Sequence, residues 1–190
     1  FFAVNCQKSA LSDLNAELVN TYQVVRDDVA GLVKALGTHV YEKDHFYAVR
    51  AQKPATMTNV QRAARFIFLN RTCFNGLHRV NLRGEFNVPF GRYTNPTICD
   101  EAGLKRASEA LQGVSLKCEG FEGVLDRAEQ GDMVYFDPPY QPLSVTSSFT
   151  RYTGAGFGED AQERLSETFR KLHDRGVHCM LSNSDTPLIR

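Results

Sequence analysis

From Asn59 to Arg71 apolar residues recur at helical spacing. Ala63, Phe66, Ile67 and Leu69 form a stripe that predicts an amphipathic helix. Upstream, Ala10-Leu11-Ser12-Asp13 reads as a strand end. Asp13 through Asp28 reads as a helix with Leu18, Tyr22 and Val25 on one face and Asn15 as its candidate N-cap. A second helix is expected from Val29 to Leu36, ended by Gly37. A short third is expected over His45 to Ala51, and Pro54 breaks the chain. From Thr72 to Thr97 periodicity gives way to Asn, Gly, Pro and aromatic residues. There Leu82 to Val88 reads either as a small hairpin around Arg83-Gly84 or as an ordered loop.

Beyond Pro96 an alternating rhythm sets in. Glu101 to Leu111 predicts a helix, Val114 to Cys118 a strand, and Phe121 to Arg127 a short helix. Met133 to Phe136 is a short apolar run with the character of a buried strand. Gln141 to Gly158 is a long loop rich in Ser, Thr and Gly. A helix over Glu159 to Arg175, capped by Gly176, leads to a strand over Val177 to Leu181. Strands alternating with helices imply an α/β fold with a mainly parallel sheet. Residues 16–98 lack such strands and read as a mostly helical insertion between 1–15 and 99–190.

The strand Met133-Val134-Tyr135-Phe136 runs directly into Asp137-Pro138-Pro139-Tyr140. Each proline fixes its φ and lacks an N–H, and each drives the residue before it towards extended geometry. The result is a stiff segment with unpaired carbonyl acceptors at the carboxyl end of a strand, where open α/β sheets bind ligands. Acceptors beside an aromatic face suit a planar ring with an exocyclic amino group. The amino nitrogen of adenine is a poor nucleophile because its lone pair is conjugated with the ring. Hydrogen bonds from that NH2 to the Asp137 carboxylate and the Pro138 carbonyl favour a more tetrahedral nitrogen, able to attack a methyl sulfonium. Tyr140 would stack on a base that has left the duplex. The competing view is a Pro-Pro turn closing a strand, with Tyr140 as packing.

The net charge is zero, yet it is unevenly spread. Between Arg62 and Arg92 the charged residues are Arg62, Arg65, Arg71, Arg79, Arg83, Arg92 and one acid, Glu85, which leaves +5 there and −5 elsewhere. Arginine suits bidentate contacts to phosphate or guanine. An arginine-rich solvated face is the alternative. The five cysteines are scattered, odd in number and form no C-x-x-C pair, so reduced thiols are expected. His173 and His178 lack a plausible ligand set, and no metal site is expected. No apolar run reaches membrane-spanning length. Gly154-Ala155-Gly156-Phe157-Gly158 mimics a phosphate-binding loop, but it does not follow a buried strand and reads instead as a flexible loop over the substrate site.

With these pieces in order the chain resembles the Dam-type adenine-N6 DNA methyltransferases. The resemblance is carried by the continuous segment from Leu69-Asn70-Arg71-Thr72-Cys73-Phe74-Asn75-Gly76-Leu77-His78-Arg79 to Val88-Pro89-Phe90-Gly91-Arg92-Tyr93. The proline tetrapeptide with Gln141-Pro142-Leu143-Ser144 and the stretch Ser12-Asp13-Leu14-Asn15 match as well. The likeness spans almost the whole chain. It implies a Rossmann-like methyltransferase sheet with an inserted, mostly helical DNA-recognition domain. It further implies S-adenosylmethionine as cofactor, double-stranded DNA as partner and GATC as the common target.

By resemblance, Asp137, Pro138, Pro139 and Tyr140 form the catalytic segment, and Asp137 also lies near the cofactor. Asp13 would accept from the ribose hydroxyls, with Leu14 beside it, and Gly120-Phe121 would place a ring against the cofactor's adenine. A helix N-terminal acid is the alternative for Asp13, and a core residue for Phe121. Leu77, Arg79 and Pro89 would read bases, Phe74 would wedge into the opened duplex, and Arg71, Asn75 and Arg92 would hold phosphates. Relatives often carry Tyr where this chain has Phe74, so a hydroxyl is lost while stacking survives. The family's glycine-rich cofactor loop and upstream Lys do not precede Phe1, so an amino-terminally incomplete chain lacking half its cofactor pocket is expected. The resemblance also implies a cytoplasmic protein, nucleoid-associated or, if phage-encoded, in the host cytoplasm; it is compatible with a monomer on DNA, and the sequence leaves the oligomeric state unread. Methylation of cytosine N4, RNA adenine or protein glutamine, and DNA binding without catalysis, are the other functions compatible with these motifs.

Overall fold

A computed structural model describes residues 1–2, 8–142 and 157–190. Their elements are four short strands and six α-helices, joined by 3-10 turns. The strands are β1 (Ala10–Asp13), β2 (Ser115–Cys118), β3 (Met133–Phe136) and β4 (His178–Leu181). The helices are α1 (Ala16–Asp27), α2 (Val29–Leu36), α3 (Lys43–Ala51), α4 (Asn59–Thr72), α5 (Glu101–Ala110) and α6 (Glu159–Asp174). β1 pairs with β2 and β3 with β4, both in parallel, so the described residues contain two small parallel sheets within a mixed α/β fold. Parallel pairing needs a long crossover, which α1–α5 supply for the first pair and α6 for the second.

The chain divides into two compact units. The first comprises Phe1–His78 with Glu85–Cys118, and the second Arg79–Gly84 with Glu119–Arg190.

In the first unit, helix boundaries follow local side-chain chemistry. Asn15 caps α1 by accepting from the Glu17 and Leu18 amides at 3.1 and 3.2 Å. Asp28 closes α1 through its amide and opens α2 by accepting from the Gly31 amide at 2.9 Å. Thr58 and Gln61 form a reciprocal capping box at the start of α4. Gly37 does end α2, but at φ −63°, the ordinary right-handed region, not as the left-handed cap its identity suggested.

Helix α4 is packed on more than one side, and this widens its buried face. Ala63 and Ala64 join Val24, Val25, Leu32, Leu36, Leu111 and Val114 in one core cluster. Phe68, Leu69 and Cys73 join Phe46, Val49 and Val88 in another. The predicted stripe of Ala63, Phe66, Ile67 and Leu69 is therefore corrected: Phe66 and Ile67 are only partly buried, while Ala64, Arg65, Phe68 and Thr72 are fully so.

In the second unit, Phe136, Leu165, Leu172 and Val177 form the core between α6 and the β3–β4 pair. α6 ends in a closure that does need glycine. Gly176 has φ 78° and donates to the His173 carbonyl, while Val177 donates to that of Leu172. At Asn81–Gly84 the chain makes a turn, with Gly84 at φ 76° and its amide 2.9 Å from the Asn81 carbonyl. Between Leu82 and Val88 no named strand forms; single bridge residues, Val80 and Phe86, flank the Asn81–Gly84 turn. A further antiparallel bridge joins Cys73 to Phe90.

Candidate active site and nucleic-acid interface

In the second unit, β3 delivers Asp137 at its carboxyl end. The ladder with β4 continues one step past the strands, as the Ser182 amide donates to the Phe136 carbonyl at 3.1 Å. That step sets Ser182 beside Asp137, and the Ser182 hydroxyl donates to Asp137 Oδ1 at 2.7 Å. The Tyr135 hydroxyl in turn donates to Ser182 Oγ at 3.0 Å.

The prolines are held from two further directions. Asn183 Oδ1 accepts from the Gln141 amide at 2.9 Å, and Asn183 Nδ2 donates to Gln162 Oε1 at 3.2 Å. Gln162, buried on α6, donates from Nε2 to the Pro139 carbonyl at 3.4 Å. Among the described residues nothing donates to the Pro138 carbonyl, and Asp137 joins no ion pair. Asp137 and Tyr140 are exposed, Tyr140 at 54%.

Gln162, Ser182 and Asn183 were not picked out from the sequence. A signal existed: Ser182-Asn183-Ser184-Asp185 is a polar run directly after an apolar strand, the same placement that drew attention to Asp137.

Phe121, opening a 3-10 turn over Phe121–Asp126, is half-buried. Its ring meets Phe157 edge-on with centroids 5.9 Å apart. Gly120 before it has φ −70°, which any residue adopts. Arg79 is exposed in this unit. Leu143, Ser144 and the glycine run over 154–156 lie outside the described residues.

In the first unit, Asp13 ends β1 opposite Cys118 of β2. Its Oδ1 accepts from the Asn15 amide at 2.6 Å, which ties the carboxylate to the start of α1. Leu14 is 60% exposed next to it.

The backbone around Phe74 and Pro89 is a built structure. The Phe74 amide donates to the Pro89 carbonyl at 2.9 Å, and the Gly91 amide to the Thr72 carbonyl at 2.8 Å. The Tyr93 hydroxyl donates to the Cys73 carbonyl at 2.8 Å. The Tyr41 hydroxyl donates to the Gly91 carbonyl at 2.9 Å and accepts from the Tyr93 amide at 2.7 Å. A Cβ on Gly91 would sit 2.6 Å from the Cys73 carbonyl oxygen, so the two backbones can approach this closely only with glycine there. Asn75 at φ 53° and Gly76 at φ 61° reverse the chain, and Asn70 Nδ2 fixes the reversal on the Gly76 carbonyl at 2.7 Å.

This frame leaves Phe74 and Leu77 about half exposed. Phe74, Asn75, Phe90, Arg92 and Tyr93 line a hollow of about 370 Å³. Arg71 and Pro89 are exposed in the same unit. Burial pushes the Cys73 thiol up to about 11, which makes it a packing residue with no nucleophilic character at neutral pH.

The arginine cluster needs correction. Arg62 pairs with Glu17 of α1 at 2.5 Å. Arg65 is buried and donates to the Val49 and Arg50 carbonyls at the end of α3, at 3.0 and 2.8 Å. These two are structural because α4 is packed where they emerge. The remaining four, Arg71, Arg79, Arg83 and Arg92, are exposed.

A family model for D12 class N6 adenine-specific DNA methyltransferases matches residues 1–190. The chain belongs to this family of enzymes. Among its curated relatives, the type II methyltransferase M.MjaIII of Methanocaldococcus jannaschii is 46% identical over 190 residues, covering 94% of this chain and 66% of the relative. The type II methyltransferase M1.LlaDCHI of Lactococcus lactis subsp. cremoris is 43% identical over 196 residues, covering 99% and 69%. The DNA adenine methylase of Serratia marcescens is 38% identical over 185 residues, covering 95% and 68%. The chain thus spans about two thirds of the length of these members of the D12 class. No helix among the described residues is long and apolar enough to cross a membrane.

Proposed function

We propose that this protein transfers a methyl group from S-adenosylmethionine to the N6 nitrogen of adenine in double-stranded DNA, with GATC as target sequence. The observation that carries this reading is the exposed Asp137 carboxylate, held through one oxygen by Ser182, at the carboxyl end of a parallel strand and before an exposed tyrosine. The fold that goes with it is a Rossmann-like sheet in 1–15 and 99–190, interrupted by a recognition domain over 16–98.

Adenine N6 carries two hydrogens and a delocalised lone pair. Asp137 and the Pro138 carbonyl each accept a hydrogen bond from one of these N–H groups, which favours a pyramidal nitrogen; transfer of the methyl would release the thioether S-adenosylhomocysteine and one N6 proton. Tyr140 stacks on the ring once the base has left the duplex. No covalent intermediate with the protein is needed. The donor set suits the cofactor. Asp13 commits one oxygen to Asn15 and has a second acceptor for ribose hydroxyls, with the apolar surface of Leu14 adjacent. When bound, S-adenosylmethionine supplies an electrophilic methyl group on a sulfonium. Phe121, half-buried against the core of the second unit, is the ring assigned to the cofactor's adenine.

For DNA, Phe74 fills the gap left by the departing base, and Asn75, Arg71 and Arg92 grip phosphates. Leu77 and Pro89 meet thymine methyl groups, and Arg79 reads guanine O6 and N7. The test is incorporation of tritiated methyl into duplexes with and without GATC by the full-length protein, with the product identified by mass spectrometry. N6-methyladenine confined to GATC duplexes is the expected result. A folded protein that binds cofactor and DNA yet yields cytosine methylation or no product would overturn it.

A further inference from the structure

Asp137 has two carboxylate oxygens, and one is already committed. A carboxylate only accepts, so the hydroxyl of Ser182, 2.7 Å from Oδ1, must donate to it. A hydroxyl has one proton, so the contact between Tyr135 and Ser182 at 3.0 Å must run the other way, with tyrosine donating. The chain Tyr135 to Ser182 to Asp137 therefore has a fixed direction.

Its placement is fixed too. The register pairs Tyr135 with Met180 and Phe136 with Leu181, and the Ser182 amide extends that ladder onto the Phe136 carbonyl. Behind it, Asn183 holds the Gln141 amide and the buried Gln162 holds the Pro139 carbonyl, so the segment is fixed after the carboxylate as well. A carboxylate bonded through one oxygen cannot swing freely about its side-chain bonds, and its other oxygen then has a defined direction.

We propose that Ser182 is a positioning residue that reserves Oδ1 of Asp137 for the protein and presents Oδ2 to the amino group of the target base, with Tyr135 setting the direction of the Ser182 hydroxyl. This rests on the methyl-transfer reading above. It adds an assignment to each carboxylate oxygen and gives functions to two residues outside the proline tetrapeptide. The gain is orientational: the acceptor is aimed before the base arrives, so less ordering is needed in the transition state.

The test uses the full-length protein with Ser182→Ala, Ser182→Thr and Tyr135→Phe, measuring single-turnover methylation at saturating cofactor and duplex. Duplex and cofactor Kd and thermal midpoint are measured in parallel. Ser182→Ala should lower the single-turnover rate about 10- to 100-fold while both Kd values stay within about twofold. Ser182→Thr, which keeps the hydroxyl, should restore most of the rate, and Tyr135→Phe should fall between. If Ser182→Ala still forms N6-methyladenine at the wild-type rate, the assignment fails and the methyl-transfer reading stands. If rate and thermal midpoint fall together and threonine does no better than alanine, Ser182 is structural and the assignment fails. If the wild-type protein binds both ligands and forms no methylated adenine, the functional reading fails and takes this one with it.

Discussion

The Phe74 amide donates to the Pro89 carbonyl at 2.9 Å. Two positions fifteen residues apart in sequence, both proposed to meet DNA, are thereby parts of one object, closed further by the Cys73–Phe90 bridge and the Tyr41–Gly91–Tyr93 hydrogen bonds. The exposed Phe74 ring rises from a backbone that cannot easily shift. A wedge that enters a base stack has to be stiff, because any yielding of its base would give back the stacking it gains.

Phe74→Ala should therefore weaken the flipped state more than it weakens the fold. Base–aromatic stacking is worth about 1–3 kcal/mol. Fluorescence of 2-aminopurine at the target position should show a matching loss of extrahelical base, and the thermal midpoint should stay close to wild type because the side chain is half exposed.

On the proposed function, Asp137→Ala should lower turnover by about 10³-fold or more, since it removes the acceptor assigned there to the reacting nitrogen. Duplex affinity, measured by fluorescence anisotropy, should remain near wild type. A parallel loss of folding would instead assign Asp137 a structural role.

The arginines should separate into two groups. Arg65→Met leaves the Val49 and Arg50 carbonyls without their buried donor, and should cost about 2–4 kcal/mol in chemical denaturation. Arg71→Ala and Arg92→Ala, both exposed, should change stability by less than about 0.5 kcal/mol. Each of the latter should reduce the slope of log affinity against log salt by about 1. Arg79→Ala should relax preference at a single base position, at about 1–3 kcal/mol of lost discrimination.

His39 provides a pH signature. Its ring stacks on Phe68 with centroids 4.4 Å apart, and its Nδ1 lies 3.0 Å from His45 Nε2. Burial, and secondarily the charge of His45, hold it down to about 4 from an ordinary 6.5. A depressed histidine binds fewer protons folded than unfolded between those values, so stability rises with pH across that window. Stability should thus be complete near neutrality and fall by on the order of 1–2 kcal/mol as pH drops from 6.5 towards 4. Denaturant titrations at pH 7.5 and 4.5 check this, and His39→Gln should flatten the difference.

Much of the local structure was legible in the chain. The cap at Asn15 was read from the chain because it acts within three residues of itself; those at Asp28 and Thr58, equally local, were found only in the structure. The strand over Met133–Phe136 has the bounds its apolar run suggested, because two prolines stop it. The breadth of the α4 buried face was not legible. It depends on how many neighbours surround that helix, and periodicity reports one face only.

The sequence by itself determined the elements, the proline segment and membership of the D12 class, since each rests on residues adjacent in the chain or in a fixed order. Only the tertiary structure decided which arginines are exposed, that Phe74 is bonded to Pro89, and that Ser182 holds one oxygen of Asp137. Those outcomes depend on partners 15 to 45 residues distant in the chain. The identity of a side chain fixes what it is able to bond, and packing alone fixes which partner comes within reach.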